Sequence, residues 1–161
     1  MEKVLTIAQY MYDKGYHSNL QLNKLVYFSF GFFGAYHKKM HLFDSKIEAW
    51  KYGPVVREVY EAFKKGDFDK HLYKADLPDE EKKTIDWVLD FYGEKAPFLL
   101  VELTHQKDTP WSRFYEEDMN KEIPKDFIIS YYTDFVTQNE KIIKAMSSES
   151  FASVMQELAK T

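Results

Sequence analysis

The chain has 161 residues, with 22 basic against 26 acidic side chains and a formal net charge of −4. A sequence pI of about 5.8, with Arg57 and Arg113 as its only guanidinium groups, excludes a generally basic nucleic-acid binder. A hydrophobic share of 45% and an aromatic share of 17% exclude intrinsic disorder and predict one domain over 1–161. There is no cysteine, which removes disulfides, Cys-ligated metal and thiol catalysis together and fits a reducing compartment. No N-terminal stretch joins a basic start, an apolar run and a small-residue cleavage site, so the cytoplasm is the expected location.

In chain order, Val4, Ile7, Ala8 and Met11 fall on one side of a 3.6-residue helix that Gly15 ends. Residues 20–36 are apolar nearly all round and predict a helix buried on most sides, with Ser18 as N-cap and Gln21 completing a capping box. The longest uncharged run lies here, twelve residues from Leu25 to Tyr36, well short of the ~20 needed to cross a bilayer. Gly31 and Gly34 within it predict close helix packing. Residues 42–52 lack the helical stripe and are read as extended, a short hairpin.

Pro54 then starts a helix striped by Val56, Val59, Tyr60 and Phe63, which stops at Gly66. After Pro78, the acidic turn Asp79-Glu80-Glu81 suits a helix N-terminus, and Ile85, Val88, Leu89 and Tyr92 carry the stripe. Residues 97–103 form a second segment apolar nearly all round. Ile128, Tyr131, Tyr132 and Phe135 follow Pro124. Phe151, Val154, Met155 and Leu158 form the last stripe, with Ser147 or Ser148 as N-cap. The expectation is a mainly α bundle of about six or seven helices with one short β-hairpin.

The search for chemistry yields no complete active site. His37 and His41 are four apart but have neither the H-E-x-x-H carboxylate nor a third ligand, so they read as groups at a helix C-terminus. His17 and His71 read as loop residues. His105 follows Thr104, and neighbours on a helix do not face one another, so no nucleophile–base pair forms there. The expected role of its ring is to bond a backbone group or pack on Trp111. Asp86 and Asp90 flank an apolar stripe and face water; Gly66-Asp67-Phe68-Asp69 lacks the further ligands of a calcium loop. No phosphate loop or Gly-x-Ser-x-Gly elbow occurs, and no catalytic residue, metal or cofactor is expected.

The densest patch is Glu48-Ala49-Trp50-Lys51-Tyr52-Gly53-Pro54-Val55-Val56-Arg57-Glu58-Val59-Tyr60. Trp50 and Tyr52 either plug one end of the bundle or, with Arg57, anchor an interface, the role in which Trp, Tyr and Arg are enriched.

This patch resembles the central signature of the Panacea domain, the SocA-like antitoxin family that also includes phage-associated GepA-type proteins. Three further stretches agree in order. Leu22-Asn23-Lys24-Leu25-Val26-Tyr27-Phe28 is similar to the family's early "lxKLlYF" helix. Leu103-Thr104-His105 with Pro110-Trp111 is similar to its "LTHxxxxPW" motif, and Ile123-Pro124 through Tyr131-Tyr132 to its closing helix. The resemblance runs from about residue 4 to 135, leaving 136–161 as a helical C-terminal extension. Where the family continues with Gln and Trp, this chain has Phe30 and Phe32.

The resemblance implies an antitoxin of a two-gene, often prophage-borne, module. It would bind a cognate protein toxin encoded by an adjacent gene. One branch of the family instead delivers its toxin to the ClpXP protease, and an enzyme acting through His105 is a distant third reading. The toxin-binding or signature candidates are Trp50, Lys51, Tyr52, Gly53, Pro54, Arg57, Tyr60, Thr104, His105 and Trp111. Phe151, Val154, Met155 and Leu158 either present a second contact or pack on their own domain. The acidic balance implies no nucleic-acid partner, and no membrane is expected.

Overall fold

A helix that is apolar nearly all round has to be surrounded, and this one is. The computed structural model describes residues 2–95 and 102–140. Its centre is α2 (Asn19–Tyr36), in which every residue from Leu22 to Gly34 is buried. Packed around it are α1 (Lys3–Asp13), α3 (Arg57–Lys64), α4 (Asp79–Tyr92) and α6 (Lys125–Gln138). The short α5 (Pro110–Phe114) leans on α6. Residues 102–105 are also helical. The fold is mainly α with a short hairpin, as expected.

The stripes fall where their period places them. Val4, Ile7, Ala8 and Met11 on α1, Ile85, Val88, Leu89 and Tyr92 on α4, and Ile128 and Tyr132 on α6 are all buried. The α2–α6 contact is set by two glycines. A Cβ on Gly31 would lie 2.4 Å from Tyr132 Cδ2, and one on Gly34 would lie 2.5 Å from Ile129 Cγ1. Rings fill the rest of this seam. Phe28 stacks on Tyr92 at 4.2 Å, and Phe32 meets Tyr132 at 4.9 Å. Burial pushes the Tyr27, Tyr92 and Tyr132 hydroxyls well above their usual pKa.

The helix caps agree in part. Ser18 Oγ accepts from the Gln21 backbone N–H at 3.2 Å. The Gln21 side chain does not return to Ser18 to complete the box; its amide donates instead to the Gly93 carbonyl at 2.8 Å. A tertiary acceptor has displaced the local one.

The extended region needs a larger correction. Strands occupy β1 (Glu48–Trp50) and β2 (Gly53–Val55), so the hairpin begins and ends later than 42–52. A third strand, β3 (Lys121–Glu122), pairs with the other side of β1 and gives the antiparallel order β2–β1–β3. Residues 42–47 instead form a connector whose Leu42, Phe43 and Ile47 fill the core. Pro54 does not open the following helix; it lies in β2, opposite Ala49. β2 is an edge strand of the sheet, where a residue without an N–H is tolerated. The helix starts at Arg57, after the Asn23 side-chain oxygen of α2 has accepted the Val56 N–H at 2.9 Å. The 97–101 part of the second apolar segment, and the 151–158 stripe, lie outside the described residues. Among those residues no helix is long and apolar enough to cross a membrane.

Candidate functional site

The first half of α2 carries polar side chains into the interior, and the hairpin is built over them. Asn23 Nδ2 donates to the Asn19 carbonyl (3.1 Å) and to the Asn19 side-chain oxygen (2.9 Å). Asn19 Nδ2 donates in turn to the Tyr60 carbonyl at 3.3 Å, tying α2 to α3. Next to Asn23, Lys24 is fully buried and its Nζ donates to the Pro54 carbonyl at 3.1 Å. Desolvation alone brings its ammonium down to about 7.

Gly53 is where chain and lysine meet. In the register Trp50 pairs with Gly53, leaving Lys51 and Tyr52 at the turn. Gly53 has φ +117°, a backbone setting that side-chain-bearing residues resist. A Cβ there would also lie 2.6 Å from Lys24 Cε and 2.9 Å from Thr104 Oγ1. Both the conformation and the space demand glycine.

A second motif closes the other side. Thr109 caps α5, accepting from the Ser112 N–H, and Pro110 follows as the first helical residue. Its hydroxyl is also within donating distance of the Thr104 and Gln106 carbonyls, at 2.8 and 2.7 Å. This turn holds Trp111 so that its Nε1 donates to the Trp50 carbonyl at 2.6 Å. The His105 ring stacks on Trp111 with centroids 3.6 Å apart and planes 5° from parallel, and Trp111 stacks in turn on Tyr115.

Burial and the nearby Lys24 charge lower the His105 pKa, against a hydrogen bond with the Tyr52 backbone that raises it. His105 Nε2 is buried without a hydrogen-bond partner. The ring therefore does what its position beside Trp111 predicts: it packs and holds a backbone group.

On the outer face, Glu48 Oε1 accepts from both Trp50 Nε1 and Arg57 Nη2, each at 2.8 Å. The Arg57 guanidinium lies 5.2 Å above the Trp50 ring, and Tyr60 meets that ring edge-on at 4.9 Å. Tyr52 is 58% exposed. Lys51 lies over the Tyr52 ring and Lys64 over the Tyr60 ring. Between α2 and the hairpin is a cavity of about 540 Å3.

Trp50, Lys51, Tyr52, Gly53, Pro54, Arg57, Tyr60, Thr104, His105 and Trp111 thus come together around one hairpin. Asn23 and Lys24, part of the early helix motif, join this site although the pattern of the chain does not place them in it. The available signal was a lysine inside an otherwise apolar helix, since charged residues are seldom fully buried unless paired. The other histidines are dispersed. His37 Nδ1 bonds the Phe33 carbonyl and its Nε2 lies 3.1 Å from Glu80, whereas His41 Nε2 lies 3.1 Å from Asp126. No group of three or more potential metal-ligating side chains occurs among the described residues.

The site defines a class before any particular family: a surface of rings and cations around a hairpin, held from beneath by buried polar contacts. Residues 22–112, more than half of the chain, match the family described as antitoxin SocA-like, Panacea domain, and the chain belongs to that family. No curated protein and no solved structure matches it.

Proposed function

We propose that this protein is the antitoxin of a two-gene toxin–antitoxin module. It neutralises its cognate toxin in the cytoplasm by direct protein–protein binding, without catalysis. The observation that carries this reading is membership of the SocA-like antitoxin family across the segment that builds the site.

The geometry supports it through a division of labour. Gly53, Pro54, Thr104, His105 and Trp111 direct their contacts inward and fix the hairpin. Trp50, Lys51, Tyr52, Arg57 and Tyr60 present ring edges and cations outward. Rings and guanidinium groups are the side chains that dominate interface energetics when a partner excludes water from them. The stripe Phe151, Val154, Met155 and Leu158 is a second proposed contact.

The test is co-expression with the product of the adjacent reading frame. Growth is expected to stop with that product alone and to recover when this protein is present, with the two co-purifying. A harmless neighbour, or one that stays toxic and unbound, overturns the reading. Repeating the rescue in a strain lacking ClpXP separates sequestration, which persists, from delivery to the protease, which does not.

A further inference from the structure

The cavity between α2 and the hairpin has a composition that stands apart from the rest of this acidic protein. Leu20, Val55, Trp50 and Tyr60 give it apolar walls. The other side chains lining it are amides, Tyr52 and two lysines, Lys24 and Lys51, and none is a carboxylate. In a chain with 26 acidic side chains, that absence marks one sign of charge.

Among the described residues, Lys24, Lys51 and Lys64 have no counter-ion. Lys24 sits in the wall, sealed from water, with the Pro54 carbonyl as its hydrogen-bond acceptor. Lys51 belongs to the lining and Lys64 lies over the ring of the lining Tyr60; their ammonium groups are 5.5 and 5.2 Å from the ring centroids of Tyr52 and Tyr60. Neither forms an ion pair among the described residues. The carboxylate of Glu48 is already shared by Trp50 and Arg57. A volume of about 540 Å3 falls in the range of ligand-sized sites and accommodates a large side chain with part of its neighbours.

We propose that this cavity receives an apolar, preferably aromatic, side chain of the toxin flanked by acidic residues, whose carboxylates pair with Lys51 and Lys64. The proposal rests on the antitoxin reading and names the chemistry of the partner. The ring packs against the wall that Trp50 and Tyr60 form together, where edge-on contacts with aromatic rings are available. The carboxylates meet ammonium groups already positioned over rings, so little side-chain freedom is lost on binding. The charge pattern also sets specificity: a basic segment meets like charges at Lys51 and Lys64.

The test uses the full chain and three synthetic peptides followed by NMR of the Trp50 indole: acetyl-Glu-Glu-Phe-Glu-Glu-amide, its Lys-flanked counterpart, and its Ala-centred counterpart. The acidic Phe peptide is expected to shift the Trp50 signal saturably at millimolar concentration. The Ala-centred peptide and the double variant Lys51→Glu/Lys64→Glu should each weaken binding at least tenfold, and the Lys-flanked peptide should leave Trp50 unmoved. Equal binding of acidic and basic peptides, or an unmoved Trp50 with all three, overturns the proposal. Both lysines are exposed, and an unchanged melting curve of the double variant shows that the fold survives. In co-expression, full rescue by the double variant overturns this proposal while leaving the antitoxin reading intact. Failure of the unaltered protein to rescue defeats that reading, with the peptides still deciding what the cavity prefers.

Discussion

The two halves of α2 are packed by opposite means. From Phe28 to Gly34 the helix meets α4 and α6 through rings and two bare backbone positions, and the contact is held by dispersion and the exclusion of water. From Asn19 to Lys24 it meets the hairpin and α3 through amides, a lysine and backbone carbonyls. An apolar seam tolerates no added volume but carries little directional information. A polar floor fixes where the hairpin sits, because each buried donor needs its particular acceptor. The half that holds the site is the half that specifies geometry.

The sharpest test of the apolar half is Gly31→Val. Its side chain would collide with the Tyr132 ring, and overpacking of this kind destabilises by about 3 kcal/mol, read as a lower denaturant midpoint. An unchanged midpoint would mean that the seam is looser than the packing implies.

For the polar half, pH is the probe. Folding lowers the Lys24 pKa from 10.5 to about 7, so between those values the unfolded chain binds more protons than the folded one. Stability therefore rises with pH above about 7, by at most about 1.4 kcal/mol per unit, or about 2 kcal/mol between pH 7 and 8.5. Above pH 10 the buried Tyr27, Tyr92 and Tyr132, which hold their protons longer when folded, reverse the slope. Chemical unfolding across this range should show the rise, and Lys24→Met should reduce it, leaving the smaller share of Lys95, whose pKa burial also lowers. A slope unchanged in Lys24→Met removes the lysine from the account.

The smallest expected effect belongs to Trp111→Phe. It keeps a ring against His105 but withdraws the donor from the Trp50 carbonyl, at a cost of about 1 kcal/mol in thermal unfolding. The same variant should broaden the Trp50 indole signal. If Trp50 is unaffected, the two motifs are neighbours without being coupled.

How much of this was legible in the chain follows from the range of each interaction. The helices α1, α4 and α6 announce themselves because an apolar stripe repeats every 3.6 residues. Gly31 and Gly34 announced close packing because nothing else in that run is small except Ser29 and Ala35. The stack of His105 on Trp111 was also in view, six residues apart with a proline between. The hairpin was misplaced because three-residue strands contain no measurable period, and because Gly53-Pro54 serves equally well before a helix or in an edge strand. β3, two exposed residues long, has no sequence signal at all.

Lys24 was the consequential omission. Local pattern reports a charged residue on an apolar helix, but its burial depends on which distant segment covers it. Here that segment is Gly53-Pro54, about thirty residues away, with Thr104 some eighty away.

By itself, then, the sequence determined a mainly α domain, the faces its helices bury and the family to which it belongs, since periodicity and ordered motifs are properties of the chain alone. Only the tertiary structure decided that the Trp50 and His105–Trp111 motifs share one surface, that a buried lysine lies behind it, and that a carboxylate-free cavity opens beside it. Each of these depends on contacts between residues far apart in sequence, which no local pattern encodes.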